Sequence, residues 1–122
     1  MKISYDKATD SLYIHLIESP SVNSDEVADG VVIDYDINGA VVGIDLQRAT
    51  QRSGVRQEAG KCAYRENDDI LEIRLSDKPI VLEISPHWHT NISYAEDGSI
   101  AEIVLLDAKK EGLLALEFRN AA

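Results

Sequence analysis

One cysteine, Cys62, stands among 122 residues. It can form no internal disulfide and no cysteine-based zinc cluster, and it fits a reducing compartment as a small buried apolar residue. Long hydrophobic runs are missing too. Nothing approaches the ~20 residues of a membrane-spanning helix, so no membrane partner is expected. The opening Met1-Lys2-Ile3-Ser4-Tyr5-Asp6 lacks the apolar stretch and small-residue cleavage site of a signal peptide, and the expected location is the cytoplasm. No serine sits in a nucleophile elbow, Cys62 belongs to no catalytic motif, and no glycine pattern cradles phosphate, so an enzyme is not expected. Basic residues are also scarce. Lysine and arginine total 12 against 22 acids, a net charge of −10, which argues against nucleic acid and for a basic protein partner.

What is present is an ordinary globular composition, 44% hydrophobic and 28% charged, written twice. Shifted by 59 positions, residues 5–49 fall on residues 64–108 without a gap. The identical pairs include Tyr5/Tyr64, Asp10/Asp69, Leu12/Leu71, Ile14/Ile73, Ile33/Ile92, Tyr35/Tyr94, Gly39/Gly98 and Leu46/Leu105. Apolar and turn residues repeat, whereas residues that could carry chemistry mostly do not. Charge is uneven as well. Residues 1–46 hold nine acids and two lysines, a balance of −7, while residues 47–61 set Arg48, Arg52, Arg56 and Lys61 against Glu58, a balance of +3. The implied organisation is a first repeat over 1–50, a linker over 51–60, and a diverged second repeat with a C-terminal arm over 61–122.

Ser11-Leu12-Tyr13-Ile14-His15-Leu16-Ile17 alternates in polarity, which predicts a half-buried strand with Leu12, Ile14 and Leu16 inward. In the copy the inner set persists while Tyr13 becomes Glu72 and His15 becomes Arg74, marking the other face as exposed. Val31 to Asp36 reads as a strand leading into Asn38-Gly39, a hairpin signal for a type I′ turn, and Asp97-Gly98 repeats it. Lys2 to Tyr5 and Lys61 to Tyr64 read as short first strands. Residues 22–27 are weakly strand-like, and residues 79–85 convincingly so. Each repeat is then an antiparallel meander of four or five strands. Residues 47–58 could form a short helix with Arg48, Arg52 and Arg56 on one face, residues 107–111 a helical turn, and residues 113–118 a strand or extended arm. A sixty-residue half is marginal alone. The two halves should therefore pack their apolar sheet faces together about a pseudo-twofold axis.

The first repeat resembles the YuzE-like family of short bacterial proteins, domain-of-unknown-function family 2283. The matching residues are Tyr5-Asp6, Asp10, Leu12-Tyr13-Ile14, Asp29-Gly30-Val31-Val32-Ile33-Asp34-Tyr35-Asp36, Gly39, Val42-Gly43-Ile44, Leu46 and Ala49. The second repeat departs from the pattern, with Arg65 for Asp6, Glu72 for Tyr13, Ser93 for Asp34, Ala95 for Asp36 and Glu102 for Gly43. The resemblance implies a small β-rich fold and no established activity, and it suggests an antitoxin or other binding role. If the motif aspartates function, only the first repeat retains that function.

Two constellations stand out. Asp34 and Asp36 are expected to share a strand face, and Asp6, Asp10 and Asp45 could approach them, an oxygen-rich set of the kind magnesium or calcium prefers. The plainer reading is a solvated face with turn-capping aspartates. Pro86-His87-Trp88-His89-Thr90 is new in the second copy. On an extended backbone His87 and His89 would point the same way about 7 Å apart, permitting zinc or nickel if His15, Glu83 or Asp97 supplied a third ligand. The plainer reading is a surface turn with Trp88 packed over the sheet end or anchoring an interface.

The sequence thus predicts a mostly β, internally duplicated protein with room for a short linker helix. Its expected role is a non-enzymatic binding module, an antitoxin-like neutraliser of a basic partner, with Asp6, Asp10, Asp34, Asp36 and Trp88 as binding candidates. The alternatives are a metal or small-ligand site at His87-Trp88-His89 and a homodimer or larger homo-oligomer built through Trp88 and residues 113–118. No cofactor is expected beyond the zinc or nickel alternative.

Overall fold

The computed structural model describes residues 2–49, 61–87 and 89–114, with His87 described through its backbone alone. The first repeat contributes β1 (Lys2–Asp6), β2 (Ser11–His15), β3 (Asn23–Ala28), β4 (Val31–Tyr35) and β5 (Val41–Gln47). The second contributes β6 (Lys61–Arg65), β7 (Ile70–Arg74), β8 (Ile80–His87), β9 (Thr90–Ala95) and β10 (Ile100–Leu106). Strand pairing is antiparallel throughout, in the orders β1-β2-β5-β4-β3 and β6-β7-β10-β9-β8. The second sheet is therefore the first one repeated.

The meander holds for β3-β4-β5, but β5 returns to lie beside β2, so each repeat closes as a Greek key. Alternating polarity fixes which face of a strand is inward and leaves that crossover unspecified. The inner faces are the ones the alternation marks. Leu12, Ile14, Ile44 and Leu46 of one sheet and Leu71, Ile73, Ile103 and Leu105 of the other are buried in a single cluster. Two sheets around one core satisfy the need that a lone repeat cannot.

The late hairpins are three-residue loops and not type I′ turns. Gly39 N donates to Asp36 O (3.0 Å) and Asp36 N to Ala40 O (2.9 Å), and only Gly39, at φ 86°, takes the left-handed conformation. Gly98 repeats this at φ 84°. A type I turn closed by one left-handed residue suits either asparagine or aspartate before the glycine, which is why both sequences work.

The expected 47–58 helix falls mostly outside the described residues. Gln47 still belongs to β5, and Arg48, at φ 52°, pairs with Asp29 at 2.9 Å. Left-handed backbone at Arg48 takes it out of any arginine stripe running down a helix. After β10, residues 107–112 form a turn in which Glu111 N donates to Asp107 O (2.9 Å). Leu113 then crosses to the first repeat, where its carbonyl accepts from Val41 N at 2.8 Å. Residues 115–118 of the predicted arm lie outside the described residues.

Candidate functional site

The pleat of β2 turns Leu12 and Ile14 into the core and stands Tyr13 and His15 on the outer face, their rings edge to face with centroids 4.4 Å apart. Across the sheet, Tyr13 faces Asp45, His15 faces Gly43, and Gly43 faces Asp34. Tyr13 reaches past Gly43 to donate to Asp34 Oδ2 at 2.8 Å, while Ser24 Oγ donates to Asp34 Oδ1 at 2.6 Å. Glycine is what makes that reach possible. A Cβ at position 43 would stand 2.5 Å from the Tyr13 hydroxyl and 2.6 Å from Ile14 O, closer than packed atoms tolerate.

The face is electronegative. Burial, followed by the neighbouring Asp34 charge, pushes the Asp45 carboxyl above the usual carboxylate range. Burial, the hydrogen bond to Asp34 and the charges of Asp34 and Asp45 push the Tyr13 phenol well above its ordinary value, so it remains a donor at any physiological pH. A shallow concavity of about 460 Å³ extends from Tyr13 and Asp45 towards Ser4, Asp6 and Thr9 at the β1-β2 end. The same face of the second sheet is filled differently. Glu72 replaces Tyr13 and pairs with Arg65 at 3.1 Å, and Glu102 replaces Gly43 and pairs with Arg74 at 3.4 Å.

The predicted aspartates do not converge. Asp34 is on the outer face, but Asp36 lies just past β4, beyond an irregularity in its pairing, and is buried. Its Oδ1 accepts from Asn38 N (2.9 Å) and Ala40 N (3.0 Å), so the hairpin loop takes it and the shared strand face fails. Asp10, at φ 51°, accepts from the Tyr5 hydroxyl at 2.6 Å, and Asp69 repeats this with Tyr64 at 2.7 Å. Both are turn builders. Asp6 Oδ1 accepts from Ala8 N at 3.0 Å in the turn that follows β1. Among the described residues, no group of three or more His, Cys, Asp or Glu could hold a metal ion.

The premise of two histidines on one extended strand also fails. β8 ends at His87 and β9 begins at Thr90, with His87 and Thr90 in register, so His89 lies in the hairpin turn between them. Trp88 and the side chain of His87 lie outside the described residues. His89 is buried, with Asp107 Oδ2 3.8 Å from Nδ1 and Glu111 Oε1 3.8 Å from Nε2. The three suggested third ligands are engaged elsewhere. Glu83 accepts from Asn91, Asp97 from Lys78 and Ser99, and His15 stands beside Tyr13.

Sequence reasoning placed Asp34 and Asp45 near each other but missed Tyr13, Ser24 and Gly43 as parts of one network. A signal existed, because Tyr13, Asp34 and Gly43 all change in the second copy, to Glu72, Ser93 and Glu102. Residues that change together across a duplication are candidates for direct contact.

The profile of one family, described as a protein of unknown function (DUF2283), matches residues 2–49 and again residues 61–109. Each match opens at the first strand of a sheet and closes just after its fifth. No curated protein and no solved structure gave a significant match.

Proposed function

Starting from a chain that belongs, in both its halves, to the family of unknown function DUF2283, we propose that it is a non-enzymatic binding module. It recognises a small basic protein through the outer face of the first sheet, in the manner of an antitoxin that neutralises its target. The observation that carries this reading is the contrast between the two outer faces. The second face answers its acids with Arg65 and Arg74. The first sets Asp34 and Asp45 around a tyrosine donor and a glycine gap, within a segment whose balance over residues 1–46 is −7. Such a face steers a basic partner at a distance and offers Tyr13 as an amphipathic anchor on contact.

The test is capture of a basic protein at physiological salt by immobilised wild type, by Asp34→Asn/Asp45→Asn, and by Glu72→Gln/Glu102→Gln. The reading expects one partner that high salt releases, that the first variant loses and that the second retains. No partner at physiological salt, or capture indifferent to Asp34 and Asp45, overturns it.

A further inference from the structure

The concavity of about 460 Å³ on the outer face of the first sheet carries charge of one sign. Two carboxylates line it, Asp6 from β1 and Asp45 from β5, together with Tyr13 on the strand between them and the hydroxyl-bearing Ser4, Thr9 and Ser11. Among the described residues no cation lines it. Asp6 is held in place, since its Oδ1 accepts from Ala8 N at 3.0 Å. Asp45 is half-buried, and both its burial and the nearby Asp34 charge act against its ionised form. A cation brought to Asp45 therefore offsets a cost already built into the fold.

The duplication shows which cation fits this ground. Moved by 59 residues, Asp6 falls on Arg65, Ser11 on Ile70, Tyr13 on Glu72 and Asp45 on Val104. The strand register is the same in both copies, with Asp6 opposite Ser11 and Ser4 opposite Tyr13 in the first, and Arg65 opposite Ile70 and Ala63 opposite Glu72 in the second. In the second copy a guanidinium thus leans from the Asp6 position towards the Tyr13 position and meets the Glu72 carboxylate at 3.1 Å. There the chain supplies its own arginine. Over the corresponding patch the first copy supplies carboxylates and an aromatic ring, and no arginine.

We propose that this concavity is a subsite for one arginine side chain of the partner, with the guanidinium bound by Asp45, the methylene stem laid along Tyr13 and Asp6 at the entrance. That the arginine arrives on a protein rests on the reading of the outer face given above. Arginine suits the lining better than lysine. Its planar fork bonds a carboxylate through two N–H groups, stacks on an aromatic ring and gives up less hydration than an ammonium. The hydroxyls of Ser4, Thr9 and Ser11 accept from its remaining N–H groups. A bare metal ion is the poorer occupant, because among the described residues no three carboxylates or imidazoles converge.

The probes are Nα-acetylarginine methylamide, its lysine counterpart and its neutral isostere, Nα-acetylcitrulline methylamide, each titrated into the full chain while backbone-amide and tyrosine-ring NMR signals are followed. Saturable shifts centred on Ser11, Tyr13 and Asp45 are expected with the arginine probe, at a dissociation constant of about 1 mM. The lysine probe should bind about tenfold more weakly or worse, and the citrulline probe not at all. Asp45→Asn, isosteric and relieved of repulsion from Asp34, keeps the fold and should weaken arginine binding by about tenfold. Asp6→Arg, at an exposed position, gives the first copy the residue of the second and should abolish the response, whereas Glu66→Gln, at an exposed acid outside the concavity, should leave it unchanged. No saturable shift at millimolar probe, an equal response to lysine or citrulline, or a response that Asp45→Asn retains overturns the subsite. Capture of a basic partner that Asp34→Asn/Asp45→Asn loses, with the arginine probe silent, overturns the subsite and leaves the wider reading standing. An arginine response with no partner captured does the reverse.

Discussion

Asp69 joins three segments at a single carboxylate. It accepts from the Tyr64 hydroxyl at the end of β6, and from the amides of Lys109 (2.7 Å) and Lys110 (3.0 Å) beyond β10, while its own backbone sits at φ 53°. Burial works against the charged form, but the two amides and the phenol outweigh it and hold the carboxyl below its ordinary range. Asp69→Ala loses the caps and puts a Cβ without a polar group into left-handed backbone. It should cost about 1–3 kcal/mol in urea unfolding. Asp69→Asn keeps the tolerance for that backbone and part of the capping, and should cost less. The pH dependence has a definite sign. With the folded value below the unfolded one, the stabilisation is complete above about pH 4 and fades as pH falls through the folded value. The gap in urea midpoint between wild type and Asp69→Asn should therefore narrow on acidification; a gap that widens would contradict the assignment. Gly43 gives a second test at this scale. Gly43→Ala should displace Tyr13 from Asp34 and destabilise by about 1–3 kcal/mol, because one of the two atoms its Cβ meets is the backbone carbonyl of Ile14. Asp10 is a binding candidate by sequence, yet its recurrence as Asp69, with Tyr5 recurring as Tyr64, carries the signal of the turn-building role that both aspartates have. The role of Asp36 was not legible, because whether an aspartate at a strand end points along the face or caps the loop depends on where the strand stops.

Among the elements, two of the four edge strands, β3 and β8, show how the copies diverged. β3 exposes Asn23, Ser24, Asp25 and Glu26, polar residues that keep an open edge from recruiting another strand. β8 exposes Ile80, Val81 and Leu82, at 38%, 61% and 55% of their surface. Among the described residues no strand hydrogen-bonds to its outer edge, although β3 approaches it, and so much apolar surface favours pairing with a second copy. Val81→Lys should lower concentration-dependent association in light scattering, while changing the unfolding free energy by less than about 0.5 kcal/mol. Association that persists unchanged would place the contact elsewhere. Most strands were legible because burial on one face imposes a period of two. The hairpin type was misread because Asn-Gly fits both a two-residue loop with two left-handed positions and a three-residue loop with one. The Greek-key crossover was not legible at all, since alternation within a strand carries no information about its neighbour.

For the whole molecule, the decisive fact is that neither sheet has a core of its own. Ile33 and Val41 of the first repeat and Leu105 and Leu113 of the second line one cavity, and the buried cluster runs from Leu12 to Ala108 through both repeats. Residues 1–50 expressed alone should be unfolded or should dimerise to replace the missing sheet, because so small a unit buries too little apolar surface to offset its conformational entropy. A stable monomer of residues 1–50 would show that the halves are separate domains. The intact chain makes the complementary prediction. Ile33→Ala and Leu105→Ala lie in different repeats, and each should cost about 2–5 kcal/mol; both should shift one shared unfolding transition and not two separate ones. Cys62 gives an independent probe, since burial pushes its thiol up to about 11 and it lies within the same cluster. It should react with a thiol reagent only as the whole molecule opens, so the labelling midpoint in urea should coincide with loss of β-sheet circular dichroism. In Ile33→Ala, a first-repeat change, labelling of this second-repeat thiol should advance by the same amount as the dichroism. Only a core shared across the duplication transmits the change from one copy to the other.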